Sequence, residues 1–406
     1  MMKTPKSLRL HIAILGRRNV GKSSILNALT GQDVAIVSEI AGTTTDPVEK
    51  PMELLPLGPV LFVDTAGFDD VGSLGKLRVH KTNKVLERTD VAILVTEADT
   101  WGDYEVQLVE MFDGMSIPFL VVLNKTDIRE DKATEFVRAK GLRFVSVSAT
   151  GGSNILALKK ALIETVPENW YKQAGILDGI IQKDEIAVLV IPIDKEAPKG
   201  RIILPQVQTI RDILDKQGMA FVTNENNLPD GIRNLKSPPR IVITDSQAFK
   251  EVAERTPSDI PMTSFSIIFA RFKGDLNALS EGASKIDDLK DGDRILISEA
   301  CTHHPIGDDI GRIKIPNWLR AKIGPNLEFD VISGHDFPPD LDKYSLVVHC
   351  GACMLNRKEM LARILRCREA GVPITNYGIA IACIHGILER ALVPFALPCR
   401  RKANGN

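Results

Sequence analysis

The stretch that decides the fold is residues 10–24, which read LHIAILGRRNVGKSS. Its apolar start predicts a buried strand, and the following residues fit the pattern GxxxxGK[ST] before a helix-like run. Backbone N–H groups of such a loop surround phosphate oxygens at a helix N-terminus. We expect Lys22 to reach β- and γ-phosphate oxygens and Ser23 to bind magnesium. The predicted nucleotide contacts in this loop are Gly16, Asn19, Val20, Gly21, Lys22, Ser23 and Ser24.

Three further motifs follow predicted strands: Asp64-Thr65-Ala66-Gly67, Asn124-Lys125-Thr126-Asp127 and Ser148-Ala149. The carboxyl ends of parallel strands meet at one edge of a sheet, so these motifs and the loop define one crevice. Asp64 is suited to holding a magnesium-bound water, and the Gly67 N–H can approach the γ-phosphate because no side chain intervenes.

The base is selected by the second and third motifs. The Asp127 carboxylate can accept hydrogen bonds from the N1–H and amino group of guanine, whereas Asn124 and the Ala149 N–H satisfy the other edge and O6. Adenine lacks that amino group and would leave the carboxylate unpaired. The sequence therefore predicts GTP as the ligand, with the base held by Asn124, Lys125, Asp127, Ser148 and Ala149.

Residues 42–46, which read GTTTD, are predicted to be the first switch. A threonine hydroxyl there would bind magnesium and sense the γ-phosphate. We assign Thr44 to this role, with Thr43 and Thr45 as alternatives. The predicted catalytic residues are Lys22, Thr44, Asp64 and Gly67.

Short apolar runs alternate with helix-length polar segments up to about residue 168, a rhythm typical of βαβ units and a mostly parallel sheet. Polar breaks near residues 175 and 265 precede two more sets of apolar runs. We predict an α/β protein of three domains: a P-loop GTPase parallel sheet at 1–174, then two smaller α/β domains at 175–264 and 265–406.

Charge and cysteine usage limit the partners and the compartment. The 406 residues include 51 Lys and Arg against 52 Asp and Glu, which gives no long-range attraction to nucleic acid or an anionic membrane. Apolar runs stay below the roughly 18 residues of a membrane span. We expect a cytoplasmic protein without membrane or nucleic-acid partners, in which six cysteines serve a purpose other than disulfides.

All six cysteines lie beyond residue 300. Cys301 is followed by histidines, and Cys350 and Cys353 form a Cys-x-x-Cys before a helix predicted from Leu355 to Cys367. From spacing alone, a Cys3His zinc site, an iron-sulfur cluster, a redox pair and core thiols all remain open. The other three cysteines lack ligand-like neighbours and are predicted to be core or surface thiols: Cys367, Cys383 and Cys399.

From Gly16 to Asp46 the sequence resembles the Era/TrmE-like bacterial GTPases, with Thr45 standing in for Arg in their GTTRD element. The resemblance implies slow, potassium-stimulated hydrolysis, with the potassium ion held partly by Asn19. Phe68 follows the DTAG motif, so no glutamine is placed there to orient the water.

An Era-like GTPase followed by Cys-x-His and His-Cys-x-x-Cys resembles the FeFe-hydrogenase maturation GTPase family, HydF, over essentially the whole chain. Residues 197–206 are typical of that family's dimerisation domain. The resemblance implies a homodimer with a 4Fe-4S cluster on Cys301, Cys350 and Cys353. It implies a GTP-hydrolysing scaffold that receives a CO- and cyanide-ligated diiron precursor, made with two radical-SAM maturases, and delivers it to apo FeFe-hydrogenase.

The fourth cluster position stays open at this point. His303 and His349 are suited either to direct ligation or to hydrogen bonding behind the ligands, and Asp194 is either an oxygen ligand or a turn carboxylate. Two other functions also remain. One is an Era-like ribosome- or tRNA-associated GTPase with a structural zinc site, which the neutral charge weakens. The other is a redox enzyme that uses the cluster for electron transfer.

Overall fold

The computed structural model describes residues 4–30, 48–55, 57–64, 82–171, 175–192, 202–300 and 309–396. The chain divides into two compact units, Met1–Gln173 and Ala174–Asn406. In the described ranges, no helix is both long and apolar enough to cross a membrane.

The first unit is built on a six-stranded sheet in the order β2-β3-β1-β4-β5-β6, in which only the β2–β3 pair is antiparallel. Its strands are β1 (Leu10–Leu15), β2 (Val48–Leu54), β3 (Gly58–Asp64), β4 (Val91–Glu97), β5 (Phe119–Asn124) and β6 (Phe144–Ser146). Its helices are α1 (Lys22–Thr30), α2 (Asp103–Gly114), α3 (Ala133–Ala139), α4 (Ile155–Thr165) and α5 (Glu168–Tyr171).

Every residue of β1 is buried because both faces of the sheet are covered. Leu10 and Ile12 pack into one hydrophobic core, whereas Ala13 and Leu15 pack into a second core on the opposite face. The strand ends then fall at one edge: Ile14 is in register with Asp64, and Glu97 with Asn124. This register brings the motif-bearing ends of three strands to the same side of the sheet.

The second unit contains two four-stranded parallel sheets, in the orders β10-β9-β7-β8 and β12-β11-β13-β14. The first sheet comprises β7 (Ile186–Val190), β8 (Met219–Thr223), β9 (Ile241–Thr244) and β10 (Met262–Ser264). The second comprises β11 (Arg294–Glu299), β12 (Glu328–Ser333), β13 (Leu346–His349) and β14 (Ile374–Asn376). The helices are α6 (Leu204–Asp215), α7 (Leu228–Arg233), α8 (Phe249–Arg255), α9 (Phe265–Lys273), α10 (Leu276–Ser284), α11 (Ile315–Lys322), α12 (Arg357–Glu369), α13 (Tyr377–Ile384) and α14 (Leu388–Leu392).

One hydrophobic core joins the two sheets of this unit. Val188 and Val242 of the first sheet belong to the same buried cluster as Leu296 and Val347 of the second. The predicted fold class, a parallel P-loop sheet followed by two smaller α/β sheets, is confirmed.

Candidate nucleotide and cysteine sites

Two glycines of the phosphate loop occupy positions that no other residue fits. Gly16 has φ +151°, and a Cβ there would lie 2.1 Å from the carbonyl oxygen of Val95. Gly21 has φ +94°, and its Cβ would lie 2.3 Å from the Asn124 amide nitrogen. Asn19, also left-handed with φ 61°, is exposed. The two glycines therefore let neighbouring groups pack directly against the backbone of the loop.

The Lys22 ammonium lies over this loop and donates to the carbonyl oxygens of Gly16 at 2.8 Å and Arg17 at 2.7 Å. Burial raises the pKa of Asp64, while the charges of Lys22 and Lys50 act to lower it. The lysine of the phosphate loop and the carboxylate at the end of β3 therefore lie close enough for their charges to interact.

Asn124 ties the phosphate loop to the base-binding loops. Its buried amide donates to the carbonyl oxygen of Val20 at 2.9 Å and accepts from the Ala149 N–H at 3.1 Å. Ser148 lies next to this contact, is buried, and accepts from the N–H of Gly151 at 2.9 Å. The predicted residues of the two motifs therefore meet in one place.

The rest of the Asn124–Asp127 motif turns outward. Lys125 has φ 64° and forms an ion pair with Glu97, which Arg129 also approaches at 3.3 Å. The Asp127 side chain is exposed, and the described residues supply no hydrogen-bond partner for its carboxylate. It is therefore accessible to an incoming base.

An ion pair that was not predicted from the sequence lies behind the phosphate loop. Glu105 of α2 is fully buried and accepts two hydrogen bonds from Arg17, Nε to Oε1 at 2.7 Å and Nη2 to Oε2 at 2.9 Å. The same carboxylate accepts from the N–H of Gly102 at 3.0 Å. The Gly102-x-x-Glu105 spacing indicates a helix start at which Glu105 accepts from the Gly102 N–H, but it carries no signal for the pairing with Arg17.

In the second unit, the thiol of Cys350 lies at the end of β13. The backbone N–H of Cys350 donates to the carbonyl oxygen of Ser298 at 2.8 Å, and Cys350 Sγ accepts from the N–H of Ala300 at 3.0 Å. Burial raises the pKa of the Cys350 thiol, whereas the N–H groups of Ala300 and Ala352 act to lower it. The sulfur therefore sits against the residue that precedes Cys301 in sequence.

Cys353 follows in the same loop. Burial and the neighbouring Cys350 raise the pKa of its thiol to about 11, against the lowering effect of Lys273. The predicted helix start at Leu355 is wrong: α12 begins at Arg357, because the Asn356 side chain accepts from the Glu359 N–H at 3.0 Å and caps it. Both cysteines therefore lie in a loop before the helix.

Lys273 is a second residue that sequence analysis missed. Only 2% of it is exposed, and its Nζ donates to the carbonyl oxygens of Ala352, Cys353 and Leu355 at 3.0, 3.0 and 2.9 Å. Burial lowers the pKa of Lys273 to about 8, although Cys353 and Cys350 act to raise it.

His349 is fully buried with both ring nitrogens engaged. Nδ1 lies 2.9 Å from the carbonyl oxygen of Cys350, and Nε2 lies 3.0 Å from Nη1 of Arg363. Because a carbonyl only accepts and a guanidinium only donates, the ring carries its proton on Nδ1. Burial and the charge of Arg363 lower its pKa to about 3, so the ring is neutral.

The remaining described cysteines and one histidine have local roles. Cys367 is fully buried in α12, and the Cys383 thiol donates to the carbonyl oxygen of Ala283 at 3.4 Å. His335 contacts Glu359 through Nδ1 at 3.0 Å.

Several predicted site residues lie outside the described ranges: Thr43, Thr44, Thr45, Gly67, Asp194, Cys301, His303 and Cys399. Within those ranges, no group of three or more His, Cys, Asp or Glu side chains is placed to hold a metal ion.

Three family models match the chain. Residues 11–125 match "50S ribosome-binding GTPase", 176–274 match "Hydrogen maturase F dimerization domain", and 277–394 match "Hydrogen maturase F tetramerization domain". The predicted GTPase domain is thereby confirmed.

Curated relatives resemble only part of the chain. GTPase Der of Wolinella succinogenes is 38% identical over 183 residues, which is 42% of this chain and 38% of that protein. The tRNA modification GTPase MnmE of Chromobacterium violaceum is 34% identical over 158 residues, covering 39% of this chain and 35% of that protein. The chain thus spans well under half the length of these two relatives.

Among solved structures, an Aquifex aeolicus Era variant bound to GDP and aluminium fluoride aligns with 21% identity and a TM-score of 0.35, over 55% of this chain and 97% of that chain.

Because both hydrogen maturase F models match in order behind the GTPase domain, the chain belongs to the hydrogen maturase F family of GTPases.

Proposed function

We propose that the protein hydrolyses GTP and acts in hydrogenase maturation as a scaffold that carries a 4Fe-4S cluster. The observation that carries the cluster proposal is the hydrogen bond from the Ala300 N–H to Cys350 Sγ at 3.0 Å. It ties the backbone directly before Cys301 to the Cys-x-x-Cys loop. This is the connection that a site made from all three cysteines needs.

The nucleotide half of the proposal rests on the crevice of the first unit. Lys22 and the loop N–H groups would hold the phosphates, and Ser23 and Thr44 would bind magnesium. Asp64 and the Gly67 N–H would act beside the γ-phosphate. Asn124 supports this assignment because it fixes the phosphate loop and the Ala149 N–H relative to each other. We further propose that potassium at Asn19 stimulates hydrolysis.

The described donors fit a thiolate-bound cluster. Two cysteine sulfurs share one loop, and Cys350 Sγ already accepts a backbone N–H. Such N–H···S bonds, together with nearby Lys273, offset the negative charge that thiolates bring when they bind iron. Cys301, Cys350 and Cys353 would hold the cluster, which would supply an iron site with one position open to another ligand.

For that fourth position, the contacts of His349 favour a supporting role. Its Nε2 lone pair is directed at Arg363 and its Nδ1–H at the carbonyl of Cys350, so the ring orients the ligand loop from behind. His303 and Asp194 remain the proposed candidates for direct ligation.

Family membership supports a proposal for the cargo and the partners. We propose a cytoplasmic homodimer that receives a CO- and cyanide-ligated diiron precursor made with two radical-SAM maturases and delivers it to apo FeFe-hydrogenase. The matched dimerization and tetramerization domains support self-association. GTP would act by changing switch conformations and hence partner affinity.

The test is anaerobic reconstitution of the full chain, with iron, sulfide and zinc measured together, an EPR spectrum of the reduced sample, and a GTPase assay. We expect about four irons and four sulfides per chain, the composition of a 4Fe-4S cluster. Cys353→Ala should lose the cluster and keep GTPase turnover, whereas Cys367→Ala, at a buried thiol within α12, should keep both. One zinc and no sulfide would instead favour an RNA-linked GTPase with a structural zinc site.

A further inference from the structure

The cysteine loop is held by a residue at the end of the stretch matched by the dimerization model. Lys273 ends α9, within the stretch matched by the dimerization model, whereas Cys350 and Cys353 lie in the stretch matched by the tetramerization model. Its ammonium nevertheless reaches three carbonyl oxygens of the loop at 3.0 Å or less. Those carbonyls belong to Cys353 itself, to the residue before it and to the second residue after it.

Burying an ammonium is costly unless its donors are satisfied and its charge is offset. The three carbonyls take up all three N–H donors of Lys273. They do not supply a negative charge, and no carboxylate in the described part of the chain forms an ion pair with it. The ammonium lies 5.9 Å from the centre of the Phe269 ring, and the sulfurs of Cys353 and Cys350 are the titratable groups close enough to act on its charge.

A second contact joins the end of α9 to the cysteine loop, in the opposite direction. Arg357, the first residue of α12, donates from Nη1 to the carbonyl oxygen of Phe272 at 2.6 Å and approaches that of Gly274 at 3.4 Å. The end of α9 thus reaches into the cysteine loop, and the helix after the loop reaches back to the end of α9. Between these contacts, Ala352 adopts a left-handed φ of 53°, which turns the chain between the two cysteines.

We propose that Lys273 is a positioning residue of the cluster site: it fixes the loop conformation that presents Cys350 and Cys353, and its positive charge offsets the negative charge of their thiolates. This inference rests on the proposed cluster. The lysine would act on the cluster through the backbone of the loop. Its role is to shape the site and set its local potential.

The test compares Lys273→Met with Lys273→Arg and Lys273→Gln in the full chain after anaerobic reconstitution. Lys285→Met serves as the matched control, because Lys285 is an exposed lysine of the same unit. The readouts are iron and sulfide per chain, the rate of iron loss to a chelator, the cluster midpoint potential, and circular dichroism of the cluster-free protein.

We expect Lys273→Met to release iron about 10-fold faster or more, because removing a group that supports metal ligands weakens metal binding by that order. Its midpoint potential should shift to a more negative value, because a nearby positive charge favours the reduced cluster. Lys273→Arg should restore the potential towards wild type. Lys273→Gln keeps two N–H donors without the charge, so it should retain the fold while showing the shifted potential.

Wild-type iron retention and potential in a folded Lys273→Met protein would overturn the inference. If that variant does not fold, a wild-type potential and release rate in Lys273→Gln would overturn it instead. A wild-type chain that takes up no iron and sulfide would contradict the proposed function, and this inference with it. A loaded wild type whose iron-release rate and midpoint potential are unchanged in Lys273→Met and Lys273→Gln would contradict the inference alone.

Discussion

Arg363 donates a hydrogen bond from Nη1 to Nε2 of His349 across 3.0 Å, and both side chains are buried. The same guanidinium donates to the Glu359 carboxylate at 2.9 Å and to the carbonyl oxygen of Gly334 at 2.8 Å. His349, whose ring is fixed by Arg363, donates in turn to the carbonyl oxygen of Cys350. The helix α12 therefore controls the backbone orientation at a proposed cluster ligand through one arginine and one histidine.

Removing this arginine should be strongly destabilising. Arg363→Met breaks the buried ion pair between Arg363 and the Glu359 carboxylate, which costs about 3–5 kcal/mol of unfolding free energy. The measurement is urea unfolding of the cluster-free chain. Adding Glu359→Gln removes the buried carboxylate charge and should recover part of the loss; a double variant that shows the sum of both single losses would refute this account.

Lys22→Ala should abolish GTP hydrolysis and leave the iron content intact, because the two sites lie in different compact units. Turnover should fall by roughly 100-fold or more when the phosphate-binding charge is lost. Lys160→Ala, at an exposed position of α4, is the matched control and should be silent. Loss of iron in Lys22→Ala would show that the sites are not separate.

Asn124→Ala should loosen the first unit as well as weaken GTP binding. The change leaves the Val20 carbonyl and the Ala149 N–H without their partner, a loss of about 1–3 kcal/mol. Asn124→Asp keeps the acceptor for Ala149 but places an oxygen against the Val20 carbonyl, so it should be no more stable than Asn124→Ala. Thermal unfolding with and without GTP measures both effects, and a fully stable Asn124→Asp protein would argue against the bridge.

Asp127→Asn should change base preference without changing stability, because the carboxylate is exposed. An amide cannot accept both guanine N–H groups, so GTP affinity should fall by roughly 100-fold or more. Xanthine has a carbonyl in place of the guanine amino group, and this carbonyl can accept a hydrogen bond from the NH₂ group of the new amide. Competition binding of GTP against xanthosine triphosphate checks this. An unchanged ratio of the two affinities would remove Asp127 from the base site.

Glu49 should make stability depend on acid pH. Although burial acts to raise it, the pKa of Glu49 is lowered to about 2 by hydrogen bonds and charge from Lys6 and Arg88. The folded state therefore binds this proton less readily than the unfolded chain, so the stabilisation is present above about pH 4.5 and is lost as pH falls towards 2.

The matched variant for this carboxylate is Glu49→Gln. It should be about 1 kcal/mol less stable than wild type at pH 7, since one partner is largely solvated, and the difference should shrink as pH falls. Denaturant unfolding between neutral and acid pH measures it. A difference that stays constant over that range would contradict the assignment.

The phosphate loop and the guanine motif were predictable because their spacing carries their chemistry. Gly16 and Gly21 are required by close backbone contacts, and Asn124 meets both loops as the strand order implies. Sequence also located Cys350 and Cys353 at a strand end, but placed the following helix two residues early. The cap at Asn356 was the overlooked signal.

The supporting residues could not be predicted in the same way, because their partners are remote in sequence. Lys273 bonds a carbonyl 80 positions away, and Arg17 pairs with a glutamate 88 positions away. A local pattern records neither contact. The one available hint for Lys273 is its place at the end of FSIIFARFK, a mostly apolar helix whose side chains have little access to solvent.

Val188 and Val347 belong to one core, so the second unit needs strands from both of its sheets before it can fold. The first unit holds all six strands of its sheet by residue 146 and can fold while the rest is being synthesised. The second unit cannot close its core until β14 and α13, ending at Ile384, have emerged. Nucleotide binding can therefore begin during translation, whereas the cysteine loop reaches its final form only after the chain has been made up to Ile384.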